Sequence, residues 1–371
     1  MNTTISSDDT LEAIKLLNGI NTLENINKDF YYDETNNYRK VHLKEGKLNI
    51  EEDGDFALGG IVVNRDIVFD LTDLYKQIRL DKSANEMKFK HVARGNFLEI
   101  LNSKKLKSIL EFLLNNDIDI HLQRVNVFYW SILDIIDSVI AKHNEEHLLI
   151  ISHVNIKDHF YKILLQRKDD TLQLLNEFSY PDVTSDKLSL FYKKLIELIQ
   201  QGTDTKNTLD HLLIHVLELG ANLDEAVFIQ NEKRDILIDN FSIFYRYRAL
   251  MFPNSFHYFD TEKQVESVLL KTGNSFNGED LVNYCFITDS KQNPMIQLSD
   301  VTIGYFAKLF NFCKGRTPAE LQLFRQNLST NQLEVLKLSR ALIDKSDATN
   351  PAYFHHIIPI SEGSTWAAFA Y

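Results

Sequence analysis

Apolar and polar positions change rhythm several times along this 371-residue chain. The run from Asp29 to Glu34 holds three aromatic residues, meets two acids and ends in the polar stretch Thr35-Asn36-Asn37, which predicts a first strand. A second strand is expected from Asp55 to Asn64, where the pair Gly59-Gly60 implies that another backbone or a ligand comes close. A charged stretch containing Asn85 to His91 follows, then a helix from Ser103 to Asn115 and an alternating strand from Ile118 to Val127. From Phe128 to about Leu223 apolar residues recur at three and four positions, the signature of a mostly helical block. Strands then resume at Ala226–Gln230, Ser255–Asp260 and Leu281–Ile287. Helices are expected at Pro318–Asn327 and Asn331–Lys345, with a loose tail after them and an amphipathic segment, Asp9–Leu17, ahead of the first strand.

That order predicts an α/β fold: one mixed sheet flanked by helices and interrupted by a large helical insertion. Residues 1–315 form the expected main domain, with the insert at about 128–224, and residues 316–371 a helical C-terminal extension and tail. There is no internal repeat and no low-complexity linker. At 44% apolar and 25% charged the composition is that of a globular protein. Only about the first ten residues look like a disordered segment. The N-terminal residues lack the basic start and apolar stretch of a signal peptide, and no apolar run has the length of a membrane span. Two cysteines, Cys285 and Cys313, make neither a disulfide framework nor a zinc pattern. A cytoplasmic protein is the expectation, with no membrane partner.

The net charge of −12 argues against a general nucleic-acid-coating protein. It leaves open an enzyme acting on nucleic acid, because a metal-dependent site is itself acidic. The segment from Tyr284 to Asp300 carries the strongest chemical signal. It reads as a short strand, a polar turn with Asp289, Ser290 and Lys291, and a helix start on which Gln297 and Asp300 share a face. An acid on an apolar helix face needs a partner: a cation, a lysine or a backbone amide. Asp289 is either a ligand or the cap of its turn. Gln297 either orients a ligand or bonds backbone, Lys291 is a candidate phosphate contact, and Gly304 would let the helix approach the sheet. At the other end of the chain, Asp33 either joins a shared site or starts a polar turn. Glu86 and Lys88 lie two apart and either face one site or form an exposed ion pair.

Three stretches together resemble the family catalogued as domain of unknown function 3800: YYDETNN with FALGGIVV, then EMKF, then ITDSKQNPMIQLSD. The likeness spans roughly Phe30 to Phe310. Asn36 and Asn37 stand where Ser and Gly are usual, and Ser299 replaces an Ala. The resemblance implies a ribonuclease-H-like fold with two divalent metal ions, Mg²⁺ or Mn²⁺. It implies a nuclease that hydrolyses phosphodiester bonds of RNA or DNA, in phage defence or mobile-element biology. Carried over residue by residue, Asp33, Glu86, Asp289 and Asp300 become metal ligands, with Glu232, after the strand expected at Ala226–Gln230, as a fifth. Lys88 and Lys291 would hold phosphate. The alternative is the same fold without the chemistry, a binding or assembly module whose acids are held by lysines and amides. The helical insert could seat a protein partner or a second copy of the chain.

Other signals read as structural. His355-His356 lacks the downstream Asn and His of an HNH nuclease motif and is expected in a terminal strand or packing arm. His211 and His215, four apart, suit a half-buried helix face. The cationic residues Lys104, Lys105 and Lys107, and Arg246 with Arg248, could touch a nucleic-acid backbone or be solvated charge.

Overall fold

A computed structural model describes residues 26–50, 54–65, 67–79, 86–143, 147–202, 207–271, 275–276, 279–280, 284–287 and 289–371. The segment Asp9–Leu17 lies outside these residues, as do the ends of two predicted stretches, Asn85 and 281–283.

The chain opens with β1 (Lys28–Thr35) and β2 (Phe56–Asn64), then a short helix α1 (Thr72–Ile78), α2 (Lys104–Asn115) and β3 (Asp119–Val125). Five helices follow: α3 (Val127–Lys142), α4 (His147–Gln166), α5 (Lys168–Glu177), α6 (Ser185–Gly202) and α7 (Thr208–Ala221). The sheet returns after α8 (Ser242–Met251) with β4 (Phe256–Asp260), α9 (Lys263–Lys271) and β5 (Tyr284–Ile287). The long α10 (Pro294–Cys313) precedes α11 (Pro318–Gln326), α12 (Thr330–Thr349), β6 (Phe354–Ile357) and α13 (Thr365–Ala370).

Six strands form one mixed sheet in the order β5-β4-β1-β2-β3-β6. β1, β2 and β3 run as an antiparallel meander, while β4 and β5 lie parallel to β1, and β6 parallel to β3. The period-2 alternation of β1 sends Phe30 and Tyr32 to one face and Tyr31 and Asp33 to the other. On Tyr31's face α2, α10 and α12 build a core with Leu106, Leu298, Val301 and Leu342. On the opposite face Phe30 and Tyr32 pack with Phe241, Tyr245 and Phe252. The helices between β3 and β4 close a third core of their own, around Ile135, Phe160, Phe191 and Leu217. The α/β class, the mixed sheet and the helical insertion therefore stand as read from sequence.

Two expectations need correction, the strand at Ala226–Gln230 and the loose tail. Ala226–Gln230 is a turn, not a strand. Ala226 and Ile229, three apart, both plug into the insert's core while Val227 and Phe228 are exposed, and Gln230 Oε1 accepts the Ala226 N–H at 2.8 Å. The tail is not loose: β6 is the outermost strand beside β3, and Tyr353 and Phe369 are buried. The C-terminal helices also belong to the main core, since Val335 and Leu342 of α12 are buried in the same cluster as Leu106 and Ile109. Finally, the sequence reading left out α1, α8 and α9. In α8 a fully buried Arg248 occupies a core position and hides the helical period.

Candidate active site

The carboxylates gather where parallel strands end. β1 and β4 pair Tyr32 with Phe259, so Asp33 and Asp260 are the next residues on adjacent strands and share the Tyr31 face. Asp33 Oδ1 accepts the N–H of Glu34 at 2.7 Å, and Asp260 Oδ1 that of Thr261 at 2.9 Å. The Thr261 hydroxyl donates to the Ile287 carbonyl at 2.6 Å, joining this corner to the end of β5.

Helix α10 lies directly across these strand ends. Asn293 caps it, accepting the N–H groups of Met295 and Ile296, and Pro294 sets its first turn. The Ser299 hydroxyl sits 3.0 Å from the Tyr31 carbonyl. This approach needs a bare Gly60: a Cβ there would stand 2.4 Å from Ser299 Oγ. From the other side, His121 Nε2 donates to the same Tyr31 carbonyl at 3.0 Å, while Arg248 donates to His121 Nδ1 at 3.4 Å and to the Ala352 carbonyl at 2.9 Å. Burial and the Arg248 charge hold His121 neutral, as this tautomer requires. The carbonyl two residues before Asp33 is therefore gripped from both faces of the sheet.

Asp300 follows Ser299, and its Oδ1 accepts the Phe89 N–H at 2.7 Å. The segment 86–89 is strapped down by Gln297, whose Oε1 accepts the Met87 N–H at 2.8 Å while Nε2 donates to the carbonyls of Ser290 and Lys291 at 2.9 and 3.1 Å. Gln297 thus bonds backbone. Gly304 accommodates Phe89 rather than the sheet, because a Cβ there would stand 2.9 Å from the Phe89 ring. Gly304→Val should destabilise the fold by about 1–3 kcal/mol and move Glu86 and Lys88, which urea unfolding and a Mn²⁺ titration would read together. Glu86 itself holds Lys88 Nζ at 3.3 Å and accepts from the Ser290 hydroxyl at 3.2 Å.

The electrostatics follow from this crowding. Burial, then the neighbouring charges of Glu34, Asp300 and Asp260, pushes the Asp33 carboxyl well above the usual range. Asp300 is raised by burial, against the Phe89 amide, Lys88 and a hydrogen bond from Asp33. Asp260 is raised by burial too, with Glu86 adding to the effect and Thr261 and Lys88 opposing it. On the far face of β1, burial pushes Glu34 up to about 7, with Tyr245 and Asn37 pulling the other way. Burial would lower the Lys88 pKa, but Glu86, Asp300 and Asp33 outweigh it and raise it. Among the described residues, one ammonium thus faces four carboxylates.

Of the residues predicted from sequence, Asp33, Glu86, Lys88 and Asp300 come together. Asp289 lies at the rim, and its carboxylate caps the turn, accepting from the Lys291 N–H at 3.1 Å and from Gln292 at 2.9 Å. Lys291 is exposed on that turn. Glu232 is not part of the cluster; it is exposed beyond the insert and acts on Asp134 of α3. Its placement followed from the strand expected at Ala226–Gln230. The acid at a strand end is instead Asp260, which sequence reasoning passed over. Its signal was available: Phe256–Asp260, like Phe30–Asp33, is an aromatic strand ending in an acid.

The cluster offers only oxygen donors, the preference of hard divalent cations. Among the described residues, no group of three or more His, Cys, Asp or Glu side chains is drawn together tightly enough to hold an ion as it stands. Among them also, no helix is long and apolar enough to cross a membrane. No protein-family model, curated protein or solved structure matches the chain.

Proposed function

We propose that this chain is a metal-dependent nuclease of ribonuclease-H-like architecture, related to the family of domain of unknown function 3800. The observation that carries the reading is the meeting of Asp33 and Asp260 at the ends of two parallel strands, Asp300 on the helix crossing them and Glu86 on the segment strapped to that helix, with Lys88 as the nearby counter-charge. Strand order supports it: a three-strand antiparallel meander whose first strand is continued by two parallel ones. Ligands in open α/β sheets favour the crevice outside the carboxyl ends of the parallel strands, which is where Asp33 and Asp260 lie.

Asp33, Glu86, Asp260 and Asp300 would hold Mg²⁺ or Mn²⁺. When bound, the ions would supply Lewis acidity to a phosphodiester. The protein's part is to keep Asp33 and Asp300 close together through the Ser299 and Phe89 hydrogen bonds, in a buried setting that raises both carboxyls and that a cation would relieve. Lys88 is placed to donate to a phosphate oxygen once the cation takes over its carboxylates. Asp33→Ala and Asp300→Ala, assayed with Mn²⁺ on mixed RNA and DNA, should each lose hydrolysis on the order of a hundredfold or more. Unchanged hydrolysis in both would overturn the assignment.

A second reading has its own observation. Lys88 already reaches Glu86 and raises no conflict with Asp33 or Asp300, as it would in a binding module whose acids are neutralised internally. The charge count favours the nuclease: among the described residues one ammonium stands beside four carboxyl groups. Failure of Mn²⁺ to raise the melting temperature would favour the module.

A further inference from the structure

The residues that follow Glu86 reverse the sign of the chain. Between Glu86 and Lys107 there are six Lys or Arg and two Glu, in a protein of net charge −12. The structure joins them into one surface beside the carboxylates. Lys88 and Lys90 flank Phe89, which turns inward against Gly304. Arg94 reaches back to donate to the Lys90 carbonyl at 2.7 Å. Lys105 donates to the His91 carbonyl at 3.2 Å, and Ser103 caps α2 while bonding the Val92 carbonyl at 2.7 Å, which brings the α2 N-terminus with Lys104 and Lys105 against the same turn.

Lys107 is committed to Glu334 and Glu111. Lys90, Arg94, Lys104 and Lys105 have no carboxylate within ion-pair distance among the described residues, and Lys90, Arg94 and Lys104 are exposed. Lys308 is exposed two turns past Asp300 on α10. Among the described residues the strip offers no aromatic platform: Phe97 is buried against Phe312, and Phe89 packs on α10. A surface that offers cations without rings binds phosphates and leaves bases unread.

We propose that Lys90, Arg94, Lys104 and Lys105 form a track for the phosphodiester backbone of a nucleic-acid strand, leading away from the carboxylates over the 89–94 turn to the start of α2. The proposal deepens the nuclease reading and rests on it for the direction of the track. It makes the substrate a polymer, bound beyond the cleaved bond without regard to sequence. A dinucleotide would reach the carboxylates but not the track.

The test separates the two readings. Binding is measured by fluorescence anisotropy on the full-length Asp33→Asn chain in Ca²⁺, with labelled 20-nucleotide single-stranded RNA, single-stranded DNA and duplex DNA. The variant K90E/R94E/K105E should weaken binding at least tenfold and flatten the dependence of log K on log salt by about 3 for the duplex. K90Q/R94Q/K104Q, which leaves the Lys105–His91 bond in place, should do the same to a smaller degree. K44E/K187E/K193E, on other surfaces, should change neither. In the Asp33-intact chain the track variants should leave Mn²⁺-dependent hydrolysis of bis(p-nitrophenyl) phosphate unchanged. Track variants with wild-type affinity and salt slope, melting as the parent does, would overturn the track, and so would polyglutamate competing as well as nucleic acid of equal charge. Loss of affinity in a chain that never hydrolyses a phosphodiester would keep the track and remove the nuclease.

Discussion

Asp33→Asn should lower Mn²⁺-dependent hydrolysis on the order of a thousandfold while raising the melting temperature in chelator by about 2–5 °C. The two effects share one cause. Asp33 is crowded by burial and by Glu34, Asp300 and Asp260, so its folded pKa stands well above the unfolded value near 4. Between those two pH values the folded chain binds more protons than the unfolded one, and stability falls as pH rises. Glu34, pushed up to about 7, adds to the fall across the same acid-to-neutral range. An amide at position 33 removes the repulsion and, with it, a ligand. Melting curves from pH 4 to 8 in EDTA should therefore decline for the parent and run flatter for Asp33→Asn. Added Mn²⁺ should lift the parent most at the alkaline end, where the carboxylates are charged, and the variant far less. A variant that melts below its parent in EDTA at pH 8 would contradict this account of the cluster.

Asp55→Ala should be the most damaging single change away from the site, at about 3–5 kcal/mol in urea unfolding. Asp55 is 2% exposed and holds two cations, Arg124 Nη2 at 2.7 Å and Lys314 Nζ at 2.7 Å. Arg124 is buried as well, lying 4.5 Å from the Phe310 ring centroid with its Nε already lacking a hydrogen bond. Removing the carboxylate strands that guanidinium inside the protein. Burial would raise the Asp55 pKa, but Arg124 and Lys314 outweigh it and hold the carboxyl below its ordinary value. Its stabilisation is complete above the unfolded pKa near 4 and disappears as pH falls through the lower, folded value. The gap between parent and variant should accordingly narrow below pH 4. Asp55→Ala combined with Arg124→Met should recover much of the loss; equal instability in the single and double variants would mean that the stranded charge is not the cause.

Sequence carried the site as far as local signals reach. Asp300 was legible because an acid among Leu298, Val301 and Ile303 breaks the apolar face of a helix. Asp33 was legible because an aromatic strand ran into it. Asp260 has the same local signature, but its importance comes from the parallel register of β4 beside β1, which no short window contains. Glu232 failed for the converse reason: Ala226–Gln230 has the composition of a strand, and only the insert's demand for Ala226 and Ile229 makes it a turn. α8 stayed hidden behind Arg248, a charge at a core position whose terminal nitrogens bond the carbonyl of Ala352 and a ring nitrogen of His121. Both partners lie more than a hundred residues away.

Asp33 and Asp260 stand opposite each other at the end of one ladder, yet more than two hundred residues separate them along the chain. The β1-β2-β3 meander and the insert can each form from nearer contacts, whereas the β1-β4 pairing must close the whole loop between them, at an entropic cost that grows with its length. The carboxylate cluster should therefore form late in folding. In a refolding experiment, helical signal from the insert should rise before the chain gains affinity for a divalent cation, and the interval between the two would time the arrival of β4 beside β1.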